Sequence, residues 1–121
     1  MNAPPSLPSR IRLSQSSSDQ LTFLKTKTGL TPNILARIAF SLSLKSDFDY
    51  RQLTPASDGL EFNLGTLLGE HLQLYELLLL EDCDATNPEE LTNAMVSHID
   101  YGLSYLKVTK TLGSLVDTTL Q

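Results

Sequence analysis

The chain has no tryptophan, a single cysteine, and nine basic residues against fourteen acidic ones in 121 positions. One cysteine excludes an intramolecular disulfide and fits a reducing compartment. Cys83 lies in "LEDCDA", beside Glu81, Asp82 and Asp84. Those charges oppose a thiolate, so it reads as an unreactive residue at a helix end. The longest apolar cluster, "LYELLLLE", is far too short to span a bilayer. The opening "MNAPPSLPS" is rich in proline and serine where a secretory signal would be apolar. The expectation is a soluble, cytoplasmic protein with no membrane partner. No HExxH, CxxC, P-loop, GxGxxG or GxSxG occurs. Glu70 and His71 in "GEH", with His98 downstream, invite a metal or acid/base reading. Zinc wants three or four placed donors, and there is no third histidine. Both histidines therefore read as packed, hydrogen-bonded residues on apolar helix faces. The expectation is no metal, no cofactor and no catalysis.

What is present is enough apolar residue for a core: 40 % of the chain, rich in leucine. At this length one domain is expected, stable without disulfide or metal. The net charge of −5 is unevenly placed. Residues 1–45 carry six basic side chains against Asp19 alone, and residues 46–121 carry three against thirteen acids, leaving +5 in front and −10 behind. A basic front on an acidic body can hold an anionic partner locally. Six cations over forty-five residues is also compatible with an ordinary solvated surface.

Residues 1–9 read as a disordered tail, because Pro4, Pro5 and Pro8 cannot join a ladder. "RIRLS" at 10–14 alternates polar and apolar, the period of a half-buried strand. Its partner is not obvious, and the same strand in a second copy is the simplest answer. A helix is expected over about 17–28, capped by Ser16, Ser17 or Ser18 and stopped by Gly29. A second opens at Thr31-Pro32 and runs to about 45, with Ile34, Leu35, Ile38, Ala39 and Leu42 as its stripe. A turn-rich segment with a short strand near its end follows. A third helix is expected over 63–82, burying Leu64, Leu67, Leu68, His71, Leu72, Tyr75, Leu78 and Leu79. A fourth spans 88–108, with Asn87 as cap, Glu90 at the capping-box position, and Leu91, Ala94, Met95, His98, Ile99, Gly102, Leu103 and Leu106 inward. A short last helix follows Ser114. The fold class is mainly α: a ribbon-helix-helix-like β-α-α unit at 10–46, then a helical hairpin within 60–121, in an oligomer.

Three groups are candidates for DNA contact. Two copies of the strand would form a ribbon able to enter a major groove, with Arg10, Arg12 and Ser14 outward. "GLTPN" puts Thr31, Asn33 and free amides at a helix N-terminus, a seat for phosphate. Lys25 and Lys27, with Arg37, can line a basic strip, although two residues apart they splay over the helix surface. Each group has the ordinary alternative of a solvated surface.

The segment "RIRLSQSSSDQLTFLKTKTGLTPNILARIAFSLSL" resembles the start of the DndE family of DNA sulfur modification proteins. The likeness continues through "GTLLGEHLQLYELLLLEDC" and "SHIDYGLSYL", from about Arg10 to Leu106. It implies a single DndE-like domain over 10–121 and a place in DNA phosphorothioation, where sulfur replaces a non-bridging phosphate oxygen. It further implies a non-enzymatic accessory subunit, tetrameric, working with other proteins of that system and binding nicked duplex DNA through lysines. Lys25 and Lys27 match the family's basic "K-x-x-T-G" stretch, with Thr26 and Thr28 leaving it less basic here. Other readings stay open. One is a sequence-specific ribbon-helix-helix regulator with Arg10 and Arg12 reading bases. Another is a protein–protein adaptor that never touches DNA.

Overall fold

The computed structural model describes residues 5–108, with side chains through Leu106. Strand β1 (Arg10–Arg12) buries Ile11 between two exposed arginines. Its partner is in the same chain: β2 (Glu61–Asn63) pairs with it antiparallel, setting Arg10 opposite Asn63, Ile11 opposite Phe62 and Arg12 opposite Glu61. This corrects the expected pairing with a second copy. The reason is local. The returning loop continues the ladder, with Leu13 N–H donating to the Leu60 carbonyl (2.9 Å) and Gly59 N–H to the Leu13 carbonyl (2.8 Å). Gly59 is required there, because a Cβ would meet Ser18 Oγ at 2.3 Å and the Ser14 carbonyl oxygen at 2.4 Å. Residues 5–9, expected in the disordered tail, lie against the body. Leu7 packs on the core, its N–H donates to Glu76 (2.9 Å), and the Ser9 carbonyl accepts from Leu64 N–H (2.9 Å). The remainder of that tail, residues 1–4, and the short helix expected after Ser114 lie outside the described residues.

Helix α1 (Gln15–Thr28) is capped by Ser14, whose hydroxyl accepts from Ser17 N–H. The serines expected to cap it are inside the helix instead. Ser17 and Ser18 are buried: Ser17 donates to Asp100, while Ser18 donates to the Ser14 carbonyl and accepts from Leu60 N–H. Ser16 stays exposed, whereas Ser14, Ser17 and Ser18 can be buried because each hydroxyl finds a partner. Helix α2 (Pro32–Leu44) has Thr31 as cap and Pro32 in its first turn. It buries Leu35, Ala36, Ala39 and Phe40, while Ile34 from the expected stripe is exposed.

The expected helix over 63–82 is broken. α3 (Leu64–Leu68) ends at Gly69, which takes φ +60°. A 3-10 turn (Gly69–His71) leads into α4 (Leu72–Asp82). Positive φ is costly for residues with a Cβ, so Gly69 is where the chain can bend. The bend leaves His71 exposed, against expectation. On α4, Leu79 is buried but Leu74, Leu77 and Leu78 are exposed, so Leu78 does not join the core as predicted.

Helix α5 (Pro88–Val108) follows the predicted span. Glu90 N–H donates to Asn87 Oδ1 (2.9 Å), the cap half of a capping box, while the Glu90 side chain accepts from Thr86 N–H (3.2 Å), one residue ahead of the Asn87 amide that the box engages. Every predicted inward residue from Leu91 to Leu106 is buried. The main partner of α5 is α2, with α4 contributing less. The approach is close at Gly102, where a Cβ would lie 2.0 Å from the Ala39 carbonyl oxygen. His98 is fully buried at this junction. Its Nε2 lies 2.7 Å from Asp82 Oδ2, and its Nδ1 lies 2.7 Å from Ser43 Oγ. The carboxylate accepts only, so Nε2 carries the proton and Nδ1 accepts from the serine hydroxyl. Phe40 and Phe48 meet the ring edge-on. The chain Ser43–His98–Asp82 thus ties α2, α5 and α4 together. His98 is the packed, hydrogen-bonded core residue its helix face predicts.

Candidate nucleic-acid interface

Alternation in β1 turns Arg10 and Arg12 to solvent, and the register with β2 brings a carboxylate to them. Arg10 Nη1 stands 3.5 Å from Glu61 Oε2, and Arg12 Nη2 stands 3.5 Å from Glu61 Oε1. Arg12 Nη1 also donates to the Gly59 carbonyl (2.8 Å). Ser14, expected beside them, is buried and engaged as the α1 cap. The arginine face is therefore a short two-stranded ribbon that carries its own counter-charge.

Lys25 and Lys27 are exposed in the last turn of α1, where cations complement the carbonyl end of a helix. Lys27 Nζ lies 5.6 Å from the ring centre of Phe23, itself exposed. Neither lysine has a carboxylate partner among the ion pairs of the described residues. α1 ends at Gly29 in the left-handed region at φ +76°, and the turn sends the chain into α2. Ten residues of helix separate Gln15 from Lys25, ~15 Å of rise, so lysines and arginines form two groups.

The α2 N-terminus is less open than its sequence suggests. The Thr31 side chain accepts from Ile34 N–H (3.4 Å), and Asn33 is half-buried. Arg37 does not line a basic strip. It is half-buried and its Nε donates to the Leu67 carbonyl (2.9 Å), where it satisfies a carbonyl near the end of α3 that has no helical partner. The sequence reading missed Glu61. Its signal was the polar–apolar alternation of "EFN", which only gains meaning once that strand is paired with "RIR".

Other reactive groups are engaged in structure. Cys83 is buried, and burial is the main cause pushing its thiol above the usual range, with nearby Asp82 and Asp84 acting in the same direction. That agrees with the unreactive reading. His71 and Glu70 are an exposed pair 3.7 Å apart. No cluster of three or more His, Cys, Asp or Glu side chains able to hold a metal occurs among the described residues. No helix among them is long and apolar enough to cross a membrane.

Comparison with known proteins places this geometry. No curated protein matches the chain. Among solved structures, DndE from Escherichia coli B7A, described as involved in DNA phosphorothioation modification, is 40 % identical with a TM-score of 0.76, over 83 % of this chain and 96 % of that one. A DndE mutant, also described as involved in DNA phosphorothioation, is 38 % identical with a TM-score of 0.73, over 83 % and 98 %. The family model for DNA sulphur modification protein DndE matches residues 10–114, and the chain belongs to the DndE family.

Proposed function

We propose that this DndE protein is a non-enzymatic, DNA-binding accessory subunit of a phosphorothioation complex. It grips the phosphodiester backbone and takes nicked duplex among its ligands. The observation that carries the reading is the exposure of Lys25 and Lys27 at the end of α1, with no carboxylate partner among the described residues, in an acidic protein. Arg10 and Arg12 are secondary contacts, because Glu61 already shares them. Thr31 and Asn33 act through the α2 N-terminus they shape, and Arg37 supports the α3 end rather than the ligand. Contacts of this kind neutralise phosphates without reading base edges, so binding is sequence-tolerant and salt-sensitive. The protein works as a homo-oligomer, a tetramer in the family's manner, with other proteins of the sulfur modification system, in the cytoplasm. The exposed leucines of α4 are consistent with such assembly.

A sequence-specific regulator needs arginines free to reach base edges from a ribbon of two chains. Pairing of β1 with β2 and the Glu61 contacts argue against that alternative. Fluorescence anisotropy with labelled nicked duplex, intact duplex and duplexes of unrelated sequence tests the proposal. Comparable affinity across sequences, falling steeply with salt, is the expected result. Strong preference for one sequence, abolished by Arg12→Ala, would favour the regulator. Retained assembly with partner proteins but no measurable DNA binding would favour the adaptor.

A further inference from the structure

We infer that Glu61 is a built-in competitor for DNA phosphate at the ribbon, setting how strongly Arg10 and Arg12 contribute to binding. This rests on the backbone-binding reading and adds a residue that works against it. The register is the starting point: Arg12 stands directly opposite Glu61, and Arg10 is its diagonal neighbour, opposite Asn63. Cross-strand neighbours on one face lie close enough for long side chains to meet. Each carboxylate oxygen takes one guanidinium at 3.5 Å, and all three side chains are well exposed, at 65 % for Arg10, 48 % for Arg12 and 41 % for Glu61.

These contacts are long and wet, and exposed pairs of this kind are weak. A phosphate can displace the carboxylate readily. Until it does, Glu61 lowers the formal charge of the arginine pair from two to one, and holds both guanidinium groups toward the sheet. Each guanidinium keeps further N–H donors for an incoming oxygen, while the Gly59 carbonyl fixes the direction of Arg12. The ribbon is thus held below its full capacity for anions. The lysines stand in the last turn of α1, ~15 Å of helix rise from its first residue, and among the described residues no ion pair joins them to Glu61.

The test is binding of labelled nicked and intact duplex by the full chain carrying Glu61→Gln, over a salt series. Glutamine keeps the side-chain size and removes the charge. The expected result is affinity raised about two- to fivefold at ~0.1 M salt, with the slope of log K against log salt steeper by about one. Arg12→Ala in the same background should cancel most of the gain. Glu70→Gln, which removes an exposed charge away from the ribbon, should give no comparable gain. Glu61→Thr, better suited to a strand, should act as Glu61→Gln does, and thermal melting checks that both variants fold. Unchanged or weaker binding by the Glu61 variants, or an equal gain from Glu70→Gln, overturns the inference. If Lys25→Ala with Lys27→Ala weakens binding while the Glu61 variants do nothing, only the competitor role falls. If neither the wild type nor any Glu61 variant binds either duplex, the DNA-binding reading falls with it.

Discussion

Replacing Gly102 by alanine is a severe test of how α2 and α5 meet. The added Cβ would sit 2.0 Å from the Ala39 carbonyl oxygen and 2.7 Å from its Cα. Ordinary contact begins near 3.4 Å, so one helix must shift by more than an ångström. The atom in the way is backbone, so no side-chain rotation relieves it. Overpacking of this sort costs about 1–3 kcal/mol, and a backbone obstacle puts Gly102→Ala at the upper end. Alanine recovers about 1 kcal/mol through its better helix propensity. The net expectation is a loss of about 2 kcal/mol, roughly an 8 °C fall in Tm for a domain of this size. Gly65 is the matched control, because its nearest neighbour is the Asn63 side-chain oxygen at 3.1 Å. Gly65→Ala should therefore change stability much less. Urea and thermal unfolding followed by circular dichroism measure both. A Gly102→Ala protein as stable as wild type, or more so, would mean the two backbones do not touch where the fold requires.

Two further outcomes follow from buried polar groups. Burial is the leading cause lowering the His98 pKa below 6.5, with the Asp82 contact opposing it. The unfolded chain therefore takes up this proton first, so stability from neutral His98 is full above about pH 6.5 and declines as pH falls toward the folded pKa. Urea midpoints at pH 7.5 and 5.5 should show wild type losing more than His98→Gln over that interval; equal losses would refute the assignment. Asp100 accepts the hydroxyls of Ser14 and Ser17, and Ser17 is buried. Asp100→Ala should cost about 1–3 kcal/mol by leaving Ser17 without its acceptor, and an unchanged urea midpoint would contradict that geometry.

Helix α5 was legible because each local signal agreed: a cap at Asn87, proline and glutamate after it, and a 3.6-residue stripe of inward residues. The start of α2 was legible for the same reason, through Thr31 and Pro32. Strand pairing was not. β2 is three residues inside a turn-rich segment, and three residues carry no usable period. A short strand was expected near the end of that segment, but nothing in three residues fixes its register, so a second copy was the simplest partner for β1. The break at Gly69 was hidden by leucines on both sides, whose apolar character suits one long helix as well as two. The site divides in the same way. Lys25 and Lys27 keep the exposure their helix end predicts. Arg37 is turned by a tertiary contact with Leu67, and Glu61 reaches the arginines only through the sheet. Contacts across 30 and about 50 residues leave no mark in local sequence.

The central claim is that Lys25 and Lys27 hold the DNA backbone. It is tested most directly by the salt dependence of nicked-duplex binding, measured for the wild type and for Lys25→Ala with Lys27→Ala. The account predicts weaker binding by the double variant and a shallower slope of log K against log salt, by about one to two. An unchanged affinity and slope, in a variant that melts like wild type, would contradict it.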